Sequence, residues 1–217
     1  EEELLDRLGS DNKMVRLLTN RAKSDPKRVV FAEADHLDVL KAAQIVWEEG
    51  IGHPILLGDR EVILELKAEI GFDADVPIYD PKTPEEDKRR FHYADIFWKE
   101  RRRKGISLLD AQKWMRERNY FAAMMVHEGE ADALVTGYSR SYPSVVKPML
   151  QLIGKAPGIS IVASTNMMMT NRGPIFFSDT AINPNPTADD IAKIAIMTAN
   201  TVKLFGLEPV MAMVSFS

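Results

Sequence analysis

The residues most able to do chemistry crowd together at 138–147. Tyr138, Ser139, Arg140, Ser141 and Tyr142 follow one another directly after the apolar run "ADALVTG" (131–137), and Lys147 comes soon after. Hydroxyls and a guanidinium ahead of a helix start suit an anion, because free amides and the helix dipole favour negative charge there. The same residue types also make an ordinary polar loop with Ser144 as helix cap. Residue type alone gives the two readings equal weight, and nothing in the spacing selects phosphate over carboxylate or sulfate.

Other candidates are weaker. "KERRRKG" (99–105) is a basic run at a helix end, where cations suit the dipole. The functional alternative is that one arginine, such as Arg101, folds inward to grip an anion with its planar fork. In "NPNPT" (183–187), Asn183 and Asn185 can present amides to a ligand, although asparagine before proline is also plain turn chemistry. Neither G-x-x-x-x-G-K-[ST] nor G-x-G-x-x-G occurs, which argues against a P-loop and against a dinucleotide site. The histidines His36, His53, His92 and His127 are scattered without ligand spacing, and there is no cysteine, so no metal site is expected. His127 precedes Glu128 and Gly129 at a helix end, where its ring helps satisfy the last carbonyls.

The elements that must position these residues follow from periodicity. Residues 2–24 read as a helical lead-in stopped by Asp25-Pro26. Strands are expected at 28–33, 53–59, 76–80, 131–137, 159–165, 173–179 and in the last run "PVMAMVSFS". Helices are expected at 36–49, 60–71, about 144–153 and 187–205. Capping-box signatures at Thr83, at Ser107 with Asp110 and at Thr187 with Asp190 mark three helix starts. Strands alternating with helices of this length give α/β units with a largely parallel sheet and helices on both faces. In such folds ligands bind at the carboxyl ends of strands, where both "YSRSY" and "SDTAINPNPT" (178–187) fall.

The chain has 217 residues, enough for one large domain or one domain and part of another. Its composition, 45% hydrophobic and 28% charged, is that of a globular protein, and a net charge of −4 provides no basic field for nucleic acid. No apolar run reaches membrane-span length, and no secretory signal is visible. A cytoplasmic location is expected, since the absence of cysteine fits a reducing compartment. The start at Glu1-Glu2-Glu3 and the stop at Ser217 after a strand-like run suggest a piece of a longer polypeptide.

These motifs in this order resemble the phosphate acetyl/butyryltransferase family. The resemblance rests on "RVVFAEADHLDVLKAAQ", "ADALVTGYSRSYPSVVKPMLQLIGKAPG" and "FFSDTAINPNPTADDIAKIAIMTANTVKLFGLEPVMAMVSFS", and covers nearly all of the chain. The middle stretch looks like the C-terminal phosphotransacetylase-like domain of large bacterial NADP-dependent malic enzymes. The resemblance implies a three-layer sandwich of two α/β domains with a cleft between them, the second incomplete. Residues 1–24 would connect to an upstream enzyme, 25–154 form the first domain and 155–217 part of the second.

In the family's active acetyltransferases the loop reads approximately G-A-x-H-[ST]-T-A-D-x-x-R-P. Here Arg140 stands at the histidine, Tyr142 at a small hydroxyl residue, Ser144 at the aspartate and Lys147 at the arginine, while Ser141 keeps its hydroxyl. By the same resemblance Ser139, Arg140, Ser141 and Lys147 lie near a cleft for CoA and phosphate. Arg101 matches an arginine that helps hold substrate phosphate, and Asp179 and Asn183 belong to the "SDTAINPNPT" motif. The family's catalytic groups are expected beyond Ser217.

The implied function is a regulatory domain of a fused malic enzyme (malate to pyruvate and CO2), binding acetyl-CoA as allosteric inhibitor and aiding homo-oligomer assembly. NADP and a divalent metal would bind only in the upstream domains, and neither nucleic acid nor membrane is an expected partner. The alternative is a catalytically active phosphate acetyltransferase, turning acetyl-CoA and phosphate into acetyl phosphate and CoA.

Overall fold

The computed structural model describes residues 9–170 and 173–214. It divides into two units, residues 22–154 and residues 1–21 with 155–217.

In the first unit the strands β1 (Lys27–Phe31), β2 (Gly52–Leu57), β3 (Ile78–Tyr79) and β4 (Ala133–Val135) form one sheet in the order β3-β2-β1-β4. All three pairings are parallel. The period-2 alternation of a strand sends neighbouring side chains to opposite faces. Val30, Ala32, Ile55 and Leu57 enter one core, and Phe31, Ala34 and Leu56 enter the other.

The core around Phe31 is closed by α2 (Leu37–Glu48) and α3 (Arg60–Ile70), through Leu40, Ala43 and Ile63. A left-handed Gly71 (φ 69°) ends α3, a conformation that a side chain would disfavour. The opposite core is closed by α4 (Asp87–Arg101), α5 (Leu108–Trp114), α6 (Arg118–His127) and α7 (Tyr142–Leu152). Every residue of α6 from Asn119 to Met125 is buried, so this helix faces protein on all sides, with its one buried side-chain amide, Asn119, hydrogen-bonded. This sheet between two helical layers is the α/β arrangement read from the sequence.

In the other unit β5 (Thr165–Thr170) pairs antiparallel with β6 (Gly173–Ser178), from Thr165↔Ser178 to Thr170↔Gly173. The helix α8 (Ala188–Leu204) buries Ile194, Thr198 and Val202 at four-residue spacing. Its Thr198 hydroxyl donates to the Ile194 carbonyl at 2.8 Å. A further helix, α1 (Gly9–Ser24), precedes β1, and its Arg21 donates to the Leu204 carbonyl at the end of α8.

Several expectations are corrected. "ISIVAST" (159–165) forms no strand before Thr165; the strand is "TNMMMT", whose partner is close in sequence. A β-branched run without a partner has no ladder to satisfy its backbone. The last run, "PVMAMVSFS", has no regular structure up to Val214, and its final residues lie outside the described ones, as do residues 2–8 of the helical lead-in. Capping boxes are present at Ser107 and Thr187. The third site differs, because the Thr83 hydroxyl donates to the Asp80 carbonyl and caps no helix amide. The helix expected from 144 begins at Tyr142, with Pro143 in its first turn.

Candidate active site

The sheet order places a reversal of connection direction beside β1. The chain runs outward from β1 to β2 and β3, then returns to β4 on the other side. Ligands of open parallel sheets bind at the carboxyl ends of strands at such a reversal. Here β1 and β4 pair from Val29↔Ala133 to Phe31↔Val135, and the Ala32 amide donates to the Val135 carbonyl at 3.0 Å. The residues just past both strand ends, Glu33 and the loop 137–141, therefore meet.

Glu33 is only 2% exposed. Its Oε2 accepts from the amides of Gly137 and Tyr138, both at 2.7 Å. Its Oε1 accepts from the Ser139 amide at 3.0 Å and the Ser139 hydroxyl at 2.6 Å. Gly137 (φ 105°) provides the backbone turn that points successive amides inward. Burial by itself would raise the Glu33 pKa. The Ser139 hydroxyl and the amides of Ser139, Gly137 and Tyr138 outweigh it, holding the carboxyl at about 2. The amides that favoured an external anion in the sequence thus hold an internal one.

A second clamp grips the other end of this loop. Pro148 lies inside α7 and has no amide to donate to the Ser144 carbonyl one turn back. The Asn119 side chain donates there instead, Nδ2 to the Ser144 oxygen at 3.2 Å. The Asn119 Oδ1 accepts from the Thr136 hydroxyl at 2.7 Å. One buried amide thereby ties the end of β4 to the first turn of α7. The Ser144 hydroxyl donates to the Ser141 carbonyl at 2.7 Å, as a local turn rather than a cap.

Beside the loop lies a hollow of about 550 Å³. Its cationic lining is Lys113, Arg118, Arg140 and Lys147, against the acids Glu33 and Glu117. Two of these charges are already spent. Glu33 is held by the loop, and Arg118 forms a bidentate pair with Asp35, Nη1 to Oδ1 at 2.6 Å. Trp114, Tyr120, Pro143 and Pro148 supply an apolar wall. Trp114 and Tyr120 stack with centroids 5.2 Å apart, and the Lys147 ammonium sits 5.3 Å from the Trp114 ring centre.

The Asp35–Arg118 pair has a close neighbour. A Cβ at Gly58 would lie 3.1 Å from Asp35 Cγ and 3.2 Å from its amide nitrogen. Asp35 is tied to both guanidinium nitrogens and cannot step aside freely. Gly58→Ala is therefore expected to lose about 1–3 kcal/mol as an overpacked site does, read as a lower denaturation midpoint. An unchanged midpoint would show that the pair yields.

The sequence candidates separate into groups. Arg140, Ser141 and Lys147 line the hollow together. Among the described residues no hydrogen bond or ion pair engages the Arg140 guanidinium. Ser139 is committed to Glu33. Arg101 does not line the hollow; it donates to the Leu150 and Gln151 carbonyls at the end of α7. His127 joins it there, with Nδ1 3.1 Å from the Leu152 oxygen, so it serves the end of α7 rather than of its own helix.

Asp179 and Asn183 belong to the other unit. Asp179 has φ 57° and accepts from the Asn183 amide at 3.2 Å and its side-chain Nδ2 at 2.9 Å. Asn183 Nδ2 also donates to the Val162 carbonyl at 2.9 Å. Sequence reasoning missed Glu33, Asn119, Trp114 and Tyr120. For Glu33 a signal existed, since "AEAD" puts acids directly past a buried strand at the sheet's ligand edge. Among the described residues no cluster of three potential metal ligands occurs, and no helix is long and apolar enough to cross a membrane.

Comparison with known proteins identifies the family and agrees with the α/β fold. The family profile for phosphate acetyl/butaryl transferases matches residues 13–217. The phosphate acetyltransferase of Thermoanaerobacterium thermosaccharolyticum is 38% identical over 213 residues, covering 94% of this chain and 63% of the relative. That of Nitratidesulfovibrio vulgaris is 36% identical over 202 residues, covering 92% of this chain and 28% of the relative. Among solved structures, a phosphotransacetylase from Streptococcus pyogenes superposes with a TM-score of 0.82 at 35% identity, covering 95% of this chain and 62% of that one. The EutD phosphotransacetylase from Staphylococcus aureus gives 0.82 at 30% identity over the same shares. The chain thus spans less than two thirds of the length of these relatives.

These findings overturn the reading of a regulatory domain fused to a malic enzyme. The relatives are named as acetyltransferases, and the loop substitutions behind that reading leave cations facing the hollow. The expected NADP and divalent metal of upstream domains depended on that reading and go with it.

Proposed function

This chain belongs to the phosphate acetyl/butaryl transferase family, and from that premise we propose that it is part of an active phosphate acetyltransferase. The reaction joins acetyl-CoA and inorganic phosphate to give acetyl phosphate and CoA. A phosphate oxygen forms a bond to the acetyl carbonyl carbon, the carbon–sulfur bond breaks, and the thiolate leaves with the electron pair. Phosphate and CoA are both anionic, so a site that brings them together must offset charge.

The observation that carries this reading is the uncommitted Arg140 guanidinium on the wall of a hollow that also holds Lys147 and Lys113. A guanidinium grips phosphate with parallel hydrogen bonds and keeps its charge at any working pH. Lys147 acts as a point charge steadied by the Trp114 face. Trp114 and Tyr120 offer a stacked apolar wall to the uncharged part of the ligand. Arg118 is balanced by Asp35 and contributes shape more than net charge. In the other unit, Asp179 and Asn183 act on loop shape through their mutual hydrogen bonds.

The test is phosphate-dependent thiol release from acetyl-CoA by the full-length protein. Wild type is expected to turn over. Arg140→Ala is expected to lower kcat/KM by about 10²-fold, the scale of losing one charged donor at a reacting anion. A folded wild type that releases no thiol in response to phosphate overturns the reading.

A further inference from the structure

We propose that Glu33 is a positioning residue, whose carboxylate fills the amide nest at 137–139 and thereby sets the aim of Arg140 and Ser141 into the hollow. This rests on the transferase reading above and adds to it a residue that does not touch the reacting groups.

Three observations converge. The first is saturation of the carboxylate. Four donors meet its two oxygens, across a sequence separation of 104 to 106 residues, at a side chain that is almost wholly buried. The second is that the loop is tied on either side of the functional residues. Tyr138, whose amide is part of the nest, also donates its hydroxyl to Asp38 at 2.6 Å, and its ring lies 5.3 Å from that of His36. Beyond Ser141, Asn119 holds the Ser144 carbonyl. The third is that Arg140 and Ser141 fall between these anchors and line the hollow. A long side chain on a loop loses aim quickly, and an error of about 1 Å in a reacting group costs on the order of 10²-fold in rate.

A proton-transfer role does not fit the same carboxylate. Its hydrogen bonds hold it ionised to about pH 2, so it is a poor base near neutrality. It also closes the nest to substrate phosphate, which leaves the Arg140 side chain, rather than the loop amides, to receive the anion. Glutamine cannot replace it, because one carboxamide end is itself a donor and would face the donating amides.

The experiment has one arm that needs no activity. Trypsin cuts after arginine, and the Arg140–Ser141 bond lies inside the held loop. In the native full-length protein, Glu33→Gln is expected to speed that cut by about tenfold or more while leaving other exposed basic sites unchanged, as selective local opening does. Ser139→Ala removes one of the four donors and is expected to speed the same cut by a smaller factor. An unchanged rate at Arg140–Ser141, or a uniform rise at all basic sites in both variants, overturns the proposal in favour of a purely stabilising carboxylate.

The second arm is a double-mutant cycle on kcat/KM. If Glu33 acts through Arg140, the loss on Arg140→Ala shrinks from about 10²-fold in wild type to a few-fold in Glu33→Gln. Equal losses in both backgrounds overturn the link. Absence of turnover in wild type overturns the transferase reading alone, and the proteolysis arm still decides whether Glu33 holds the loop.

Discussion

Phe97→Ala is expected to cost the fold about 3–5 kcal/mol, the range for truncating a fully buried phenylalanine. Phe97 has no exposed surface and lies under the wall of the hollow. Its ring centre is 5.8 Å from that of Trp114 and 5.7 Å from that of Tyr120, the two aromatics that line the site. Removing it deletes apolar burial and leaves a cavity that the stacked pair can fill only by sinking away from the hollow. For a chain of this size the loss corresponds to a fall in Tm on the order of 10 °C. Phe97→Leu fills most of the space and is expected to cost roughly half as much or less. The check is chemical denaturation of both variants, with KM for acetyl-CoA, the substrate of the proposed function, measured on the folded full-length protein. An Ala variant within about 1 kcal/mol of wild type would mean that the aromatic cluster collapses without strain and that the wall does not depend on Phe97.

Acid should uncover the second large effect. Glu33 ordinarily would titrate near 4.5 and is held at about 2 in the fold. A carboxyl depressed on folding stabilises fully above its unfolded pKa, and that contribution disappears as pH falls through the folded value. The shift is worth about 3 kcal/mol, present at pH 6 and largely gone near pH 2. Wild type and Glu33→Gln should therefore differ most near neutrality and converge in acid. Urea midpoints at pH 6, 4 and 2.5 measure this directly. A gap that does not narrow would show that the carboxylate charge is not what the loop responds to.

What could be read from the chain was what is local. Alternating strands and helices gave the parallel α/β architecture because each element carries its own periodicity. The capping boxes at Ser107 and Thr187 lie within four residues of sequence and are built from the residues that were read. Donors do collect at the start of the loop 138–142, but they hold a carboxylate of this chain, an occupant the local sequence does not show. Glu33 approaches from more than 100 residues away, and no local pattern announces that a carboxylate will fill a nest. Arg101 shows the converse. Its residue type and position fit an anion site, yet the nearest unsatisfied acceptors after folding are the carbonyls at the end of α7. "ISIVAST" had the stronger β-propensity, whereas "TNMMMT" had a partner within reach, and pairing decided.

The missing amide at Pro148 has a bearing on any attempt to engineer this protein for heat. Proline is the poorest interior helix residue by about 3 kcal/mol, so propensity-guided optimisation would replace it early. The replacement would aim a new backbone donor at the Ser144 oxygen, which Asn119 now holds. The helix would gain regularity, and the tie from Thr136 through Asn119 would face a competitor. Under the transferase function proposed above, a thermostabilised variant selected on melting temperature alone would then lose rate through a loop it never altered, and only a screen that scores both properties would keep the proline.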